Sequence, residues 1–496
     1  MPQEFRSLRH IEAYFGQAEA DLWNQLYLTA GLRNDGFSTF GTGSRRANYP
    51  KASVAWTFTN ALGNAAQRGL LSLGKRRAAY GETGREPPVY GIVTAFSTTT
   101  VFGSGFGDFV SSSQSGQGGV VRGLTEGNPD LRPERNREVE AGADFGLLDQ
   151  RVDLGATYFD ERSTDVILFV PTNSSRTGYG RRLENGASIR NHGLEVTLNA
   201  RPYTTQHLAW DIGISYGGLR GKVLSLLGAQ FIPYNNEGFT GSIGTSSVGY
   251  APGVIRGSDF ARCGRGLVID GVDIDAACGA GAPRDALYLA ANGQPIYDPT
   301  DRVIADPNPR WNMGINSSVR LFGRLRVSGL LDVRRGGQVW DGTRGALYRF
   351  GTHADTEVRG RTGTFGKDFY TDVYPDVAGP GAGKVAFATP SGWQGWFTTK
   401  GGSASNAQAQ FVEDGSFVKL REVSAAFTFD SRWVRNRTGF SSIDLRVAGR
   451  NLAMWTDYKG LDPEANLGGS EFFTQGIDYF NNPQARSIVL SVTLSR

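Results

Sequence analysis

The sequence has no run of about 18 apolar residues, which excludes a transmembrane helix. A membrane-spanning strand stays open, because it crosses with about 9–11 residues of which only half are apolar. Charge of one sign is not in excess: 52 Lys and Arg stand against 48 Asp and Glu, scattered along the chain. The one-sided basic surface that nucleic-acid binding requires is therefore missing. Histidine and cysteine are scarce. His10, His192, His207 and His353 cluster neither with one another nor with the two cysteines, so no zinc site and no other metal or cofactor is expected. Repeats at solenoid or propeller spacing and low-complexity tracts are absent too. The first residues, Met1-Pro2-Gln3-Glu4-Phe5-Arg6, lack the apolar centre of a secretory signal peptide, and the chain reads as the C-terminal part of something longer.

What the sequence does have is glycine and aromatics set in a two-residue rhythm. Its 496 residues include 68 glycines, roughly twice the usual ~7%, beside 18 Tyr, 29 Phe and 9 Trp. Val139, Ala141, Ala143, Phe145 and Leu147 alternate with Glu138, Glu140, Gly142, Asp144 and Gly146. After Leu148-Asp149-Gln150 the pattern restarts with Val152, Leu154, Ala156 and Tyr158. Side chains on a strand point to opposite faces in turn, so one face is apolar and the other polar, small or charged. About fourteen such segments are expected, among them Leu26 to Leu32, Ala52 to Phe58, Leu194 to Ala200, Leu208 to Tyr216, Trp311 to Val319, Leu325 to Val333, Ile443 to Val447 and Ile488 to Leu494.

The connections are uneven. Turns near Gln150, Tyr203 and Gly323 are short, whereas 100–133, 221–305 and 339–410 are long and rich in Gly, Ser, Asp and aromatics. Short turns at one rim and long loops at the other are the pattern of an outer-membrane barrel. The fold expected is all-β: a transmembrane antiparallel β-barrel with long extracellular loops and short periplasmic turns. One segment breaks phase, with Val418 and Leu420 on one parity and Val423, Ala425 and Phe427 on the other, which predicts a β-bulge or a strand leaving the membrane.

Several stretches resemble the SusC/RagA family of TonB-dependent outer-membrane receptors. Asn128-Pro129-Asp130-Leu131-Arg132-Pro133-Glu134 is similar to its Asn-Pro-x-Leu-Lys-Pro-Glu element, and Tyr27 to Gly36 resembles a strand-to-loop motif. Ile189 to Glu195, Asp414-Gly415-Ser416-Phe417-Val418-Lys419-Leu420, Gly449-Arg450-Asn451-Leu452, Tyr458 to Glu464 and Pro483-Gln484-Ala485-Arg486 follow in the family's order. The resemblance implies a barrel of about 22 strands, of which residues 1–496 supply the C-terminal ~14, with the plug domain and signal peptide lying outside. It also implies nutrient import across the outer membrane of a Gram-negative bacterium, the TonB complex and a SusD-like surface lipoprotein as partners, outer-membrane lipid around the barrel, and no enzymatic chemistry. Family members commonly end on an aromatic residue, where this chain has Leu494-Ser495-Arg496.

Other chemistry is weaker. Gly213-Ile214-Ser215-Tyr216-Gly217 has the form of a hydrolase nucleophile elbow but sits inside an alternating strand with no helix after it. Gly103, Gly105 and Gly107 lack the Lys-Ser/Thr of a phosphate loop. Asp270, Asp273 and Asp275 complete no calcium template. No catalytic residue is assigned. Trp340, Tyr348, Tyr370, Tyr374, Trp393 and Trp396 either stack on a ligand in a vestibule or pack the loops together. Asp444, Arg446 and Arg450 share a strand face, as lumen-lining residues or an internal ion-pair ladder. Cys263 and Cys278 suit either a loop disulfide or two lone thiols. The competing readings are a secreted all-β carbohydrate-binding or carbohydrate-active protein, whose apolar faces would meet in a dry core, a passive porin, and a truncated remnant.

Overall fold

The computed structural model describes residues 8–41, 46–62, 70–97, 113–114, 117–118, 121–234, 243–360, 362–368, 374–386, 396–397, 407–469 and 475–496. The chain divides into two compact units, one formed by residues 1–203, 211–232 and 248–250 and the other by 204–210, 233–247 and 251–496. Each is built on an antiparallel meander.

In the first unit the strands are β1 (Ile11–Leu22), β2 (Leu26–Phe37), β3 (Arg46–Thr57), β4 (Leu71–Arg85), β5 (Glu134–Leu147), β6 (Val152–Pro171), β7 (Arg181–Thr204) and β8 (Leu208–Leu226), paired in chain order. The two-residue strand Thr125–Glu126 adds a parallel pairing to β7. Register follows the alternation: Leu147 pairs with Val152, Phe145 with Leu154, Ala143 with Ala156 and Ala141 with Tyr158. The apolar face these residues form is open to the outside, with Val139 54% exposed. It covers nine positions on β5 and then ends abruptly. The next outward residue, Asp160 opposite Val139, is held by the Arg190 guanidinium at 3.1 Å. Nine residues match the height of the hydrocarbon layer, and a solvated ion pair fits its outer edge. β6 and β7, of 20 and 24 residues, run on well past that edge.

At the other end the reversal between β5 and β6 is tight. Leu148, Asp149 and Gln150 all take positive φ, at 53°, 56° and 59°, which lets β5 return as β6 within four residues. Such a run of non-glycine residues in the left-handed region is uncommon and is tolerated here in an exposed turn.

The second unit contains β9 (Trp311–Leu321), β10 (Leu325–Arg335), β11 (Phe417–Phe429), β12 (Ser442–Thr456) and β13 (Ser487–Ser495), again in chain order. Its apolar face is likewise outward: Val327, Val423, Phe427, Leu445 and Val447 are exposed, and Ile488 is 78% exposed. No second sheet covers these faces among the described residues, so the dry core of a soluble sandwich does not form. The phase break on β11 is a bulge. Leu330 pairs with Glu422 and Leu331 with Leu420, leaving Arg421 as the extra residue. One inserted position resets the alternation, so Val418 and Leu420 point to the same side as Val423, Ala425 and Phe427.

The buried core lies in the long loops, which fold into small sheets of their own. Ile243–Ser247, Val254–Phe260 and Tyr297–Ala305 make one. Val412–Asp414, Gln338–Asp341 and Ile477–Asp478 make another. A shared core of Ile255, Phe260, Leu287, Trp340, Tyr348 and Phe411 packs against them. The alternating strands send their apolar side chains outward, so burial has to come from loop residues.

Candidate functional site

The polar faces of the strands carry the groups capable of contact with a passing or bound ligand. In the first unit a cavity of about 440 Å³ is lined by Arg77, Thr157, Phe159, Thr197 and four glutamates, Glu138, Glu140, Glu161 and Glu195. Arg77 on β4 donates to Asp144 at 3.2 Å and to the Thr157 hydroxyl at 2.6 Å, crossing two strands to do so. Gly142 makes room for it: a Cβ there would stand 2.9 Å from the Arg77 guanidinium carbon and 2.9 Å from the Ala156 carbonyl oxygen. Four glutamates beside one arginine give this wall an excess of negative charge.

In the second unit the polar face is tied to a loop. Lys419 on β11 donates to Asp462 and to Glu464, both at 2.7 Å. Arg421 reaches the other oxygen of Glu464 at 2.7 Å and Asp332 on β10 at 2.6 Å. The bulge is what allows this, since it places the consecutive residues Arg421 and Glu422 both on the polar side. Burial by itself would raise the Glu464 carboxyl, but the hydrogen bonds from Arg421 and Lys419 prevail and hold it down at about 2.

Deeper in the loops a second polar network surrounds the helix Gly342–Phe350. Asp341 caps it by accepting from the Arg344 N–H at 2.8 Å. The Arg344 guanidinium, 5% exposed, donates to Glu413 at 2.6 Å, to the Tyr348 hydroxyl at 2.9 Å and to Asp355 at 3.3 Å. Tyr458 donates to Asp478 at 2.6 Å, and Thr343 donates to the other oxygen of Asp478 at 3.2 Å. Burial pushes the Asp341 carboxyl up to about 7, with the capped N–H opposing and Glu413 and Asp478 adding to the rise. Burial also lowers His353 and raises Tyr458.

The residues singled out from the sequence are distributed as follows. Trp340, Tyr348, Tyr374 and Trp396 are buried in the loop core, where Phe260 stacks on Trp396 and meets Tyr374 edge-on. Trp340 also donates its indole N–H to the Gln408 carbonyl at 3.1 Å. Tyr370 and Trp393, like Gly103, Gly105 and Gly107, lie outside the described residues. Arg446 and Arg450 both bind Glu422 on β11, Arg450 at 3.1 Å, and Asp444 accepts from Thr428. Cys263 and Cys278 are joined by a disulfide. Asp275 accepts the N–H groups of Gly264 and Gly266 at 2.6 and 2.9 Å, and Asp273 caps the short helix Ile274–Cys278. Gly213 to Gly217 lie within β8.

The motif residues prove to be corner-makers. Asn128 donates to the Leu183 carbonyl at 2.9 Å and accepts from Asp130, while Leu131 is fully buried with Phe37, Phe40 and Leu183. Glu134 accepts from the Ile167 N–H. Asp414 and Ser416 close a turn that also holds Gly336. Sequence inspection missed the Lys419–Asp462–Glu464–Arg421 cluster as a unit. Its signal was available, in two cations at alternate positions beside the phase break.

The outward apolar bands, inward polar faces and unequal connections together define a transmembrane antiparallel β-barrel of the outer-membrane class. The chain belongs to the family described as TonB dependent receptor-like, beta-barrel, whose model matches residues 3–254. TonB-dependent receptor P3 of Formosa agariphila is 23% identical over 99% of this chain and 46% of its own length. TonB-dependent receptor SusC of Bacteroides thetaiotaomicron is 22% identical over 98% of this chain and 43% of its own. The chain therefore spans a little under half the length of the curated relatives it matches. Among solved structures, the RagAB peptide importer in its closed-closed state superposes with a TM-score of 0.68 at 16% identity, over 98% of this chain and 47% of that one. Its open-open state gives 0.68 at 17%. These superpositions show the barrel fold, and family membership places the chain in the outer membrane of a Gram-negative bacterium.

Proposed function

We propose that the chain is the C-terminal barrel portion of a SusC/RagA-type receptor that imports a nutrient across the outer membrane, driven through the TonB complex. The observation that carries this is the match to relatives named TonB-dependent receptor and SusC over 98–99% of the chain. The fold supports it: an apolar outside, a charged inside and loops with cores of their own fit a vestibule above a polar passage. A glycan or a peptide is the substrate class proposed, peptide being the one that the RagAB importer is named for, and a SusD-like surface lipoprotein is the proposed partner. On this reading the buried aromatics Trp340, Tyr348, Tyr374 and Trp396 brace the vestibule, and the barrel does no covalent chemistry.

The test is uptake by the host strain with the gene deleted, measured with labelled oligosaccharides and oligopeptides in the presence and absence of a protonophore. Loss of energy-dependent uptake of one class is expected. Uptake that survives the protonophore would point to a passive pore instead.

A further inference from the structure

We propose that the connection between β11 and β12 is a membrane-surface anchor that binds the anionic phospholipid headgroups of the periplasmic leaflet. The inference rests on the outer-membrane placement and not on the import reading. Four other connections at this end are brief, with residues 23–25, 148–151, 205–207 and 322–324 sufficing to reverse the chain, while 58–70 between β3 and β4 is long and opens on the short 3-10 helix Phe58–Leu62. The β11–β12 connection takes 430–441 and uses its length for an α-helix, Arg432–Thr438. Ser431 caps its start by accepting from the Val434 N–H, and Gly439, at φ 74°, ends it.

The helix buries only Val434. Arg432, Trp433, Arg435, Asn436 and Arg437 are all exposed, Trp433 at 69%. Three guanidinium groups are thus presented with no carboxylate in the helix. The carboxylate that precedes it, Asp430, is already taken by Arg324 at 2.9 Å. Among the described residues no ion pair involves Arg432, Arg435 or Arg437. Trp433 and Arg437, four positions apart, share one side of the helix, so an indole and a cation are offered together.

Position supplies the occupant. The outward rings of Phe427 and Phe429 at the end of β11 pair with Leu445 and Ile443 on β12, and this apolar face stops where the helix begins. On the neighbouring turn Phe322 is 74% exposed beside the His207 ring. A tryptophan among arginines at the foot of a lipid-facing surface stands at headgroup depth, where indoles concentrate and phosphodiesters are the available anions. Each arginine near an anionic surface contributes about fivefold in affinity. The helix lies at the strand ends opposite the long loops, away from the route a ligand enters by.

The experiment is native mass spectrometry of the detergent-solubilised protein titrated with phosphatidylglycerol and, separately, phosphatidylcholine. Wild type is expected to retain phosphatidylglycerol at least about tenfold more tightly. Arg432→Ser/Arg435→Ser/Arg437→Ser should remove that preference, and the corresponding triple lysine variant should keep most of it. All three positions are exposed, so folding is not at risk, and boiled-versus-unboiled migration checks it. No headgroup preference in the wild type, or a preference that survives the serine variant, overturns the proposal. Equal retention of soluble glycerol phosphate overturns it in favour of a free-anion site. Failure to partition into detergent at all would overturn the membrane placement with it, whereas the uptake assay fails or succeeds independently.

Discussion

Lys419 on β11 and Asp462 in the 457–486 loop form a 2.7 Å ion pair with both side chains only 6% exposed. It joins a strand to a loop that Arg421–Glu464 and the Ile477–Asp478 strand also hold, and its isolation from water makes it sensitive to the loss of either partner. Lys419→Met should leave Asp462 buried without its cation, at a cost of about 3–5 kcal/mol to the loop's docked state. The loop should then become a substrate for limited proteolysis. Lys419→Met/Asp462→Leu should recover most of that loss, since replacing both members of a buried pair by apolar groups is often close to neutral. Equal protease resistance of wild type and the single variant would show the loop to be held elsewhere.

Glu464 gives the same latch a pH limit. Its carboxyl lies at about 2 in the folded protein against an ordinary value of 4.5. A lowered value means that its stabilising contribution is complete above about 4.5 and fades as pH falls toward 2. Amides in 457–486 should lose exchange protection over that window. Glu464→Gln should lose protection at neutral pH and show little further change on acidification.

Much of this was legible in the sequence, and the reason is periodicity. The strand faces of β5, β6, β7 and β13 follow from alternation alone, because one face meets lipid and the other a polar interior. The bulge at Arg421 was legible as a change of parity between Leu420 and Val423. The loops were not. Ile255, Trp340 and Phe411 come together from separate short elements, Val254–Phe260, Gln338–Asp341 and Gln408–Phe411, most of them too brief to show a period. Charged pairs that cross strands, such as Arg77 with Asp144, depend on register, which alternation within one strand does not specify.

The Cys263–Cys278 disulfide closes a loop of sequence separation 15 that packs Ile274, Ala261 and Tyr288 into a small core. A closure of that length restricts the unfolded loop by about 3 kcal/mol on the chain-entropy account. Cys263→Ser/Cys278→Ser should therefore raise exchange rates in 261–290 by about two orders of magnitude. The strands β9 to β13 should be unaffected, because their hydrogen bonds do not pass through this loop. A rise shared by the strands would mean that the loop core and the barrel unfold together.

Asp341 carries the opposite pH dependence to Glu464. Its carboxyl is raised to about 7 by burial, against an ordinary value of 3.8, so the folded loop core holds a proton that the unfolded one has released. Stability from this group is complete below about 4 and is lost as pH rises through 7. The helix Gly342–Phe350, which Asp341 caps, should thus be better protected at pH 5 than at pH 8. Asp341→Asn separates the charge from the cap, because asparagine caps a helix about as well as aspartate. In that variant protection of 342–350 should match wild type at pH 5 and exceed it at pH 8, leaving the profile flat over the interval. If the variant instead loses protection at both values, the carboxylate is needed in its charged form beside Arg344, and burial has not displaced its proton equilibrium in the stated direction.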